Sequence, residues 1–202
     1  IFVLLLFLFI GFAIYSNTFR SPFVFDDLTA ITGNPNGRLK ELSWEGLSKV
    51  LNGAAANRPV PMLSFALNYF FNQYRVVGYH AVNILIHVLN GFLLFVFVRK
   101  TLVLSIGEGS EISPIRSRAI AFFCALIWLV HPLQTQSVTY VYQRMNSMAA
   151  LFYLLSILCY VNGRICQRPP GSESQWAGNL RKNAVIYFVS SIIFGLLALG
   201  SK

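Results

Sequence analysis

Charge is what this chain has least of. Only 11% of its 202 residues are charged and only seven are acidic, while 55% are hydrophobic and 15% aromatic. Soluble domains carry roughly a quarter charged residues, so the composition excludes an ordinary water-soluble globule and leaves a membrane protein. Cysteine is also scarce. Cys124 and Cys159 lie in apolar runs and Cys166 in a polar connector, without metal-ligand or redox spacing, which argues against a disulfide framework. No repeat of fixed period appears, and the basic residues behind the net charge of +9 form no single patch and accompany no recognition motif, so nucleic acid is not the partner. The chain begins in mid-run, without a methionine or a basic leader, and its first segment is read as a trimmed span rather than the remains of a signal peptide.

What is there is apolar length. A bilayer-spanning helix needs about 20 mainly apolar residues. Five runs approach it, at about 1–15, 80–98, 117–131, 147–163 and 184–200, which predicts an all-α, polytopic transmembrane helix bundle. Arg99, Lys100, Arg116 and Arg118 follow the second run, and Arg164, Arg168, Arg181 and Lys182 follow the fourth, whereas Arg144 stands alone between the third and fourth. The positive-inside rule then puts the N-terminus in the cytoplasm and the long loop 16–79 on the outer or lumenal side. Within that loop "NPNGR" at 34–38 marks a turn. In "SWEGLSKVL", Ser43 caps a helix with Trp44, Leu47 and Leu51 on one face, either lying at the membrane surface or packed under its own loop. "NRPVPMLSFALNYFFNQY" restarts helix near Pro59 or Pro61 as a partly embedded element, and "QRPPGSESQ" reads as a solvated connector.

Two greasy segments carry polar stripes. His80, Asn83, His87 and Asn90 fall within an arc of about 80° on one helix face. Such side chains avoid lipid, so this face points inward, to line a cavity or to join helices by hydrogen bonds. A helix started by Pro132 would gather Gln136, Tyr140, Gln143 and Ser147 within about 60°, with Arg144 beside them or snorkelling to the outer headgroups.

The scarce acids pose the sharpest question, because "FVFDDLTAI" at 23–31 spends two of seven on adjacent positions, Asp26 and Asp27. The topology sets this pair, Arg58, His80, His131 and Arg144 near one surface. Carboxylates and fixed cations around one cavity can deprotonate a hydroxyl and hold a phosphate. In an extended segment, adjacent side chains face opposite ways, so the two aspartates would not share one role. Two carboxylates alone do not require a divalent cation, though one is compatible with them.

In order and spacing, "FVFDDLTAITGNP", "NRPVPMLSFALNYFF", "GYHAVNILIHVLNG", "HPLQTQSVTYVYQRMNSMAALFYLLS" and the terminal "LGSK" resemble the membrane glycosyltransferases of the GT-C class. The likeness covers most of the chain and is nearest to the branch that joins a multi-span membrane part to tetratricopeptide repeats, related to protein O-mannosyltransferases. The resemblance implies an integral enzyme of the bacterial inner membrane or endoplasmic reticulum. It would move a mannose-like sugar from a polyprenyl-phosphate carrier to a protein or glycolipid hydroxyl on the outer or lumenal side, with inversion. It implies that Asp26 or Asp27 is the general base and its neighbour orients substrate or a divalent ion. It makes Arg58 and Arg144 candidates for the donor phosphate, and His80, His131, Gln136 and Tyr140 candidates for substrate binding. Where members of the class often carry an acid, this chain has Gln136. The resemblance further implies that residues 1–202 are an N-terminal portion, inactive by itself, without later spans and the repeat domain. The rival expectation is a non-catalytic polytopic protein, a transporter subunit or assembly scaffold, whose ionisable residues would sit nearer mid-membrane.

Overall fold

The computed structural model describes residues 1–52, 58–105, 113–167 and 177–202. The described residues are helical, without a strand: α1 Phe2–Ile14, α2 Trp44–Asn52, α3 Pro59–Asn72, α4 Val76–Ser105, α5 Pro114–Val130, α6 Thr135–Thr139, α7 Arg144–Cys166 and α8 Ala177–Leu199, joined by short 3-10 and π turns. The "QRPPGSESQ" connector lies almost wholly outside the described residues.

α4 is the axis on which the others pack. It has 30 residues, about 45 Å at 1.5 Å per residue. α1 comes close to it at Gly11, where a Cβ would stand 2.5 Å from Val88 Cγ2. α5 presents Ala121, Ala125 and Leu129, one residue per turn, so that a small, fully buried face meets Ile84, Val88 and Phe95 of α4. α7 and α8 form a second long pair, laced by the Ser156 and Ser191 hydroxyls, each donating to the other's carbonyl at 2.8 and 2.9 Å. The far face of α8 leaves Val185, Ile186, Val189, Ile192, Ile193 and Leu196 exposed, as a surface solvated by acyl chains would be.

Apolar helices occupy all five positions expected from the sequence, yet among the described residues only two are long and apolar enough to cross a membrane, Val76–Leu104 and Val141–Cys166. A third is reached only if Pro114–Val130 and Pro132–Thr139, bent by 52°, count as one. Phe2–Ile14 and the apolar part of α8, Asn183–Leu199, are shorter. The bend has a local cause: a residue before proline is pushed out of the α region, and His131, before Pro132, is extended at ψ 131°.

The continuous helix expected from Pro132 does not form. Tyr140 is extended at φ −82°, ψ 112°, and a 3-10 turn at Val141–Gln143 intervenes before α7. The stripe Gln136, Tyr140, Gln143, Ser147 is therefore broken. Tyr140 joins the acidic turn, while the Ser147 hydroxyl donates back to Ser137 O at 3.3 Å.

In the segment 16–79, Ser43 caps α2 as expected, its Oγ accepting from Gly46 N at 3.1 Å. Leu47 and Val50 bury into a cluster with Ile31, Leu39, Met62 and Phe65, while Trp44 stays 81% exposed, so α2 packs on its own loop and leaves its tryptophan outside. α3 starts at Pro59, where the missing N–H costs nothing.

Candidate functional site

The acidic turn begins with a backbone outlier. Phe25 has φ 49°, a left-handed conformation that a bulky residue enters at a cost of about 1–2 kcal/mol. After it the chain closes into one helical turn and a π-helical stretch, Leu28–Thr32, rather than the extended segment expected. Successive side chains are then about 100° apart instead of opposed. The two aspartates still part.

Asp27 points inward and is 1% exposed. Its Oδ2 accepts from Val24 N at 3.1 Å and its Oδ1 from Tyr142 N at 2.8 Å, which ties the turn to the 3-10 segment before α7. Burial pushes the Asp27 carboxyl above the usual carboxylate range, against the two N–H donors that favour the charged form. Asp26 points outward and is exposed. Its backbone N–H donates to Tyr140 Oη at 3.0 Å, and its carbonyl accepts from Thr29 Oγ1 at 3.3 Å. Burial and the Asp26 carboxylate beside it push the Tyr140 phenol up, so it stays a neutral donor at pH 7.

His80 supports the turn from below. Its Nε2 lies 3.0 Å from Ser21 O; a carbonyl only accepts, so this nitrogen carries the proton and holds the extended stretch entering the turn. Its Nδ1 is buried and meets no protein partner among the described residues.

Arg144 lies deeper, fully buried. Its Nε donates to Asn83 Oδ1 at 2.7 Å, one terminal nitrogen to Ser64 Oγ at 3.2 Å and the other to Tyr79 O at 2.9 Å, while the guanidinium lies 4.5 Å from the Phe65 ring centroid. It joins α3, α4 and α7 and faces neither headgroups nor a cleft. Asn83 in turn donates from Nδ2 to Val138 O at 3.2 Å and Val141 O at 3.3 Å. Further along the stripe His87 Nε2 donates to Leu129 O at 2.9 Å and Asn90 Nδ2 to Ser147 O at 2.9 Å. Asn83 and His87 of the buried α4 stripe thus meet carbonyls at the end of α5 and in the broken backbone that follows it, while His80 meets the stretch entering the acidic turn and Asn90 the first turns of α7.

A cleft of about 870 Å³ opens beside the turn, lined by Thr29, Asn34, Asn36, Arg58, Tyr142 and Lys202 among others. Arg58 stands at its wall, its Nε donating to Lys202 O at 2.8 Å. One cation of Arg58 and one of Lys202, with amide side chains from the "NPNGR" turn, give this cleft the chemistry of an anion-accepting surface.

Asp26, Asp27, His80 and Tyr140 therefore meet at one turn, with Arg58 across the adjoining cleft. His131 and Gln136 do not join them: both are exposed on the α5–α6 bend, and His131 Nδ1 accepts from Leu133 N at 3.2 Å as a cap. No group of three or more His, Cys, Asp or Glu able to hold a metal gathers among the described residues. Sequence reasoning missed Tyr79, Ser64 and Tyr142. Only Tyr142 had a readable signal, an aromatic beside Tyr140 in a polar segment; the other two act through backbone carbonyls or a hydroxyl whose place depends on packing.

No family model matches the chain, and no solved structure does. Curated proteins do. The chain is 31% identical over 155 residues to protein O-mannosyl-transferase TMTC1 of Mus musculus, covering 72% of this chain and 15% of that protein. It is 32% identical over 162 residues to TMTC2 of Homo sapiens, covering 75% and 18%, and 31% identical over 177 residues to tmtc2 of Xenopus laevis, covering 83% and 19%. The chain spans less than a fifth of the length of these relatives. Matches of this extent to several such proteins make the chain a member of the TMTC-type protein O-mannosyl-transferase family.

Proposed function

We propose that this chain is the acceptor-activating part of a multi-pass membrane glycosyltransferase with a GT-C-like bundle of about five spans. It moves a mannose-like sugar from a polyprenyl-phosphate donor to a hydroxyl of a protein acceptor. The observation that carries the reading is the division of the acidic pair: Asp27 is spent on two backbone N–H groups, which leaves the exposed Asp26 as the carboxylate able to take a proton. In the proposed reaction Asp26 accepts the acceptor's hydroxyl proton as the oxygen attacks the anomeric carbon. The bond from that carbon to the lipid-phosphate oxygen breaks with inversion, and Arg58 and Lys202 stabilise the departing phosphate.

The names of the curated relatives support a sugar transfer to protein, and the run of basic residues after α4 and α7 supports an N-terminus on the cytoplasmic side with the acidic turn outside. Arg144 is assigned to the frame of the site rather than to the donor. The transporter alternative needs a polar pathway, but the buried stripe of α4 spends His80, Asn83, His87 and Asn90 on backbone carbonyls. The test is transfer of mannose from polyprenyl-phosphate mannose in membranes carrying the full-length protein. Loss of about 10²–10⁴-fold in Asp26→Asn, at unchanged expression, is expected of a missing general base; full activity in that variant removes the reading.

A further inference from the structure

At the end of the bundle away from the acidic turn, a second cleft of about 280 Å³ lies between the last turns of α4 and of α7. Val96, Val103, Leu104 and Ile165 make its walls, and Arg99 and Lys100 are its polar lining residues. Lys100 is anchored, its Nζ donating to Asn162 Oδ1 at 2.8 Å, a neutral partner. Arg99 is exposed. Among the described residues the only ion pair is Lys49–Glu45, so neither cation has a carboxylate within 4.0 Å there. The connecting stretches at this end, 99–118 and 164–182, carry eight basic and three acidic residues.

Depth fits the same picture. A hydrocarbon layer takes about 20 helical residues. α4 has 30, so its last turns, with Arg99 and Lys100, extend to the level of the headgroups while Val96 borders the acyl region. An apolar slot with two cations at its mouth, at the boundary of a bilayer, matches one ligand: an acyl chain lies along the aliphatic walls and a phosphate meets the cations.

We propose that the cleft between α4 and α7 is a binding site for an anionic phospholipid, whose phosphate is held by Arg99 and Lys100 and whose acyl chain packs on Val96, the wall residue on the membrane side of the two cations. The site is distinct from the acidic turn and its occupancy fixes α7 against α4. It does not depend on the proposed sugar transfer.

The test uses purified, delipidated full-length protein in neutral detergent, titrated with dioleoylphosphatidylglycerol, dioleoylphosphatidylcholine or inorganic phosphate and read by native mass spectrometry and by Tm. Phosphatidylglycerol is expected to bind and raise Tm, phosphatidylcholine and phosphate to do neither. Arg99→Gln is expected to weaken phosphatidylglycerol about fivefold, whereas Arg116→Gln, a cation outside the cleft, changes it by less than about twofold. Equal binding of the two lipids, equal losses in the two variants, or a Tm rise from phosphate alone overturns the proposal. Val96→Ser supplies a second arm, because it leaves the charges intact and is expected to weaken the lipid by removing only acyl contact; unchanged binding in that variant also overturns the proposal.

Discussion

Asp27 and Arg144 are the buried ionisable side chains on which the turn and its frame depend, and each makes a separable prediction. Asp27 accepts two backbone N–H bonds, so Asp27→Asn keeps one acceptor and sets an amide N–H against a donor. The expected loss is about 1–3 kcal/mol, read as a lower Tm in detergent. Its pH dependence has a definite sign. Because burial raises the folded carboxyl above its unfolded value, the folded state holds the proton more tightly. That contribution is present below the ordinary carboxylate range and is lost as pH rises through the folded value. The Tm gap between wild type and Asp27→Asn should therefore widen as pH falls from 7 toward the ordinary carboxylate range near about 4. A gap that narrows would mean the carboxylate, not the acid, is the favoured buried form. For Arg144, substitution by lysine keeps the charge but not the planar fork that meets Asn83, Ser64 and Tyr79 together. Arg144→Lys should lower Tm, with any loss of transfer following the loss of folded protein. Reduced activity at wild-type stability would instead give the guanidinium a direct part in the chemistry.

The α4 stripe and the broken segment from His131 to Gln143 form one device. The proline-induced bend and the extended Tyr140 interrupt the helical ladder, and Asn83 reaches the Val138 and Val141 carbonyls from the neighbouring helix. Asn83→Leu removes the side-chain donor to both carbonyls and leaves Arg144 Nε without its amide partner at once. It should destabilise the chain by several kcal/mol, at roughly 1–3 kcal/mol per buried unsatisfied group, and protease sensitivity between α5 and α7 should rise. At this scale the sequence was informative where the cause is local. Ser43 at the start of α2, Pro59 at the start of α3 and the inward face of His80, Asn83, His87 and Asn90 all follow from capping, proline geometry and helical period. It was uninformative where tertiary partners decide. The break in the helix from Pro132 is sustained by the Asn83 amide donor of α4, which meets its carbonyls, and the outward turn of Asp26 depends on the positive φ of Phe25 and on the Tyr142 N–H that holds Asp27 from 115 residues away.

At the scale of the molecule, α4 connects two ends with different chemistry. One end carries the acidic turn and the cleft with Arg58; the other carries the apolar slot with Arg99 and Lys100. The helix positions were legible because apolar runs are long and few residues interrupt them. The number of crossings was less so, since Phe2–Ile14 has 13 residues and α5 is cut by the bend at Pro132.

The central claim is that the adjacent aspartates divide labour, one for chemistry and one for structure. The measurement that tests it most directly is a paired determination of mannose transfer and Tm for Asp26→Asn and Asp27→Asn of the full-length protein. The account predicts that Asp26→Asn loses about 10²–10⁴-fold of its transfer rate at wild-type Tm, while Asp27→Asn lowers Tm and loses transfer only as far as folded protein is lost. A stable, inactive Asp27→Asn beside an active Asp26→Asn would contradict it.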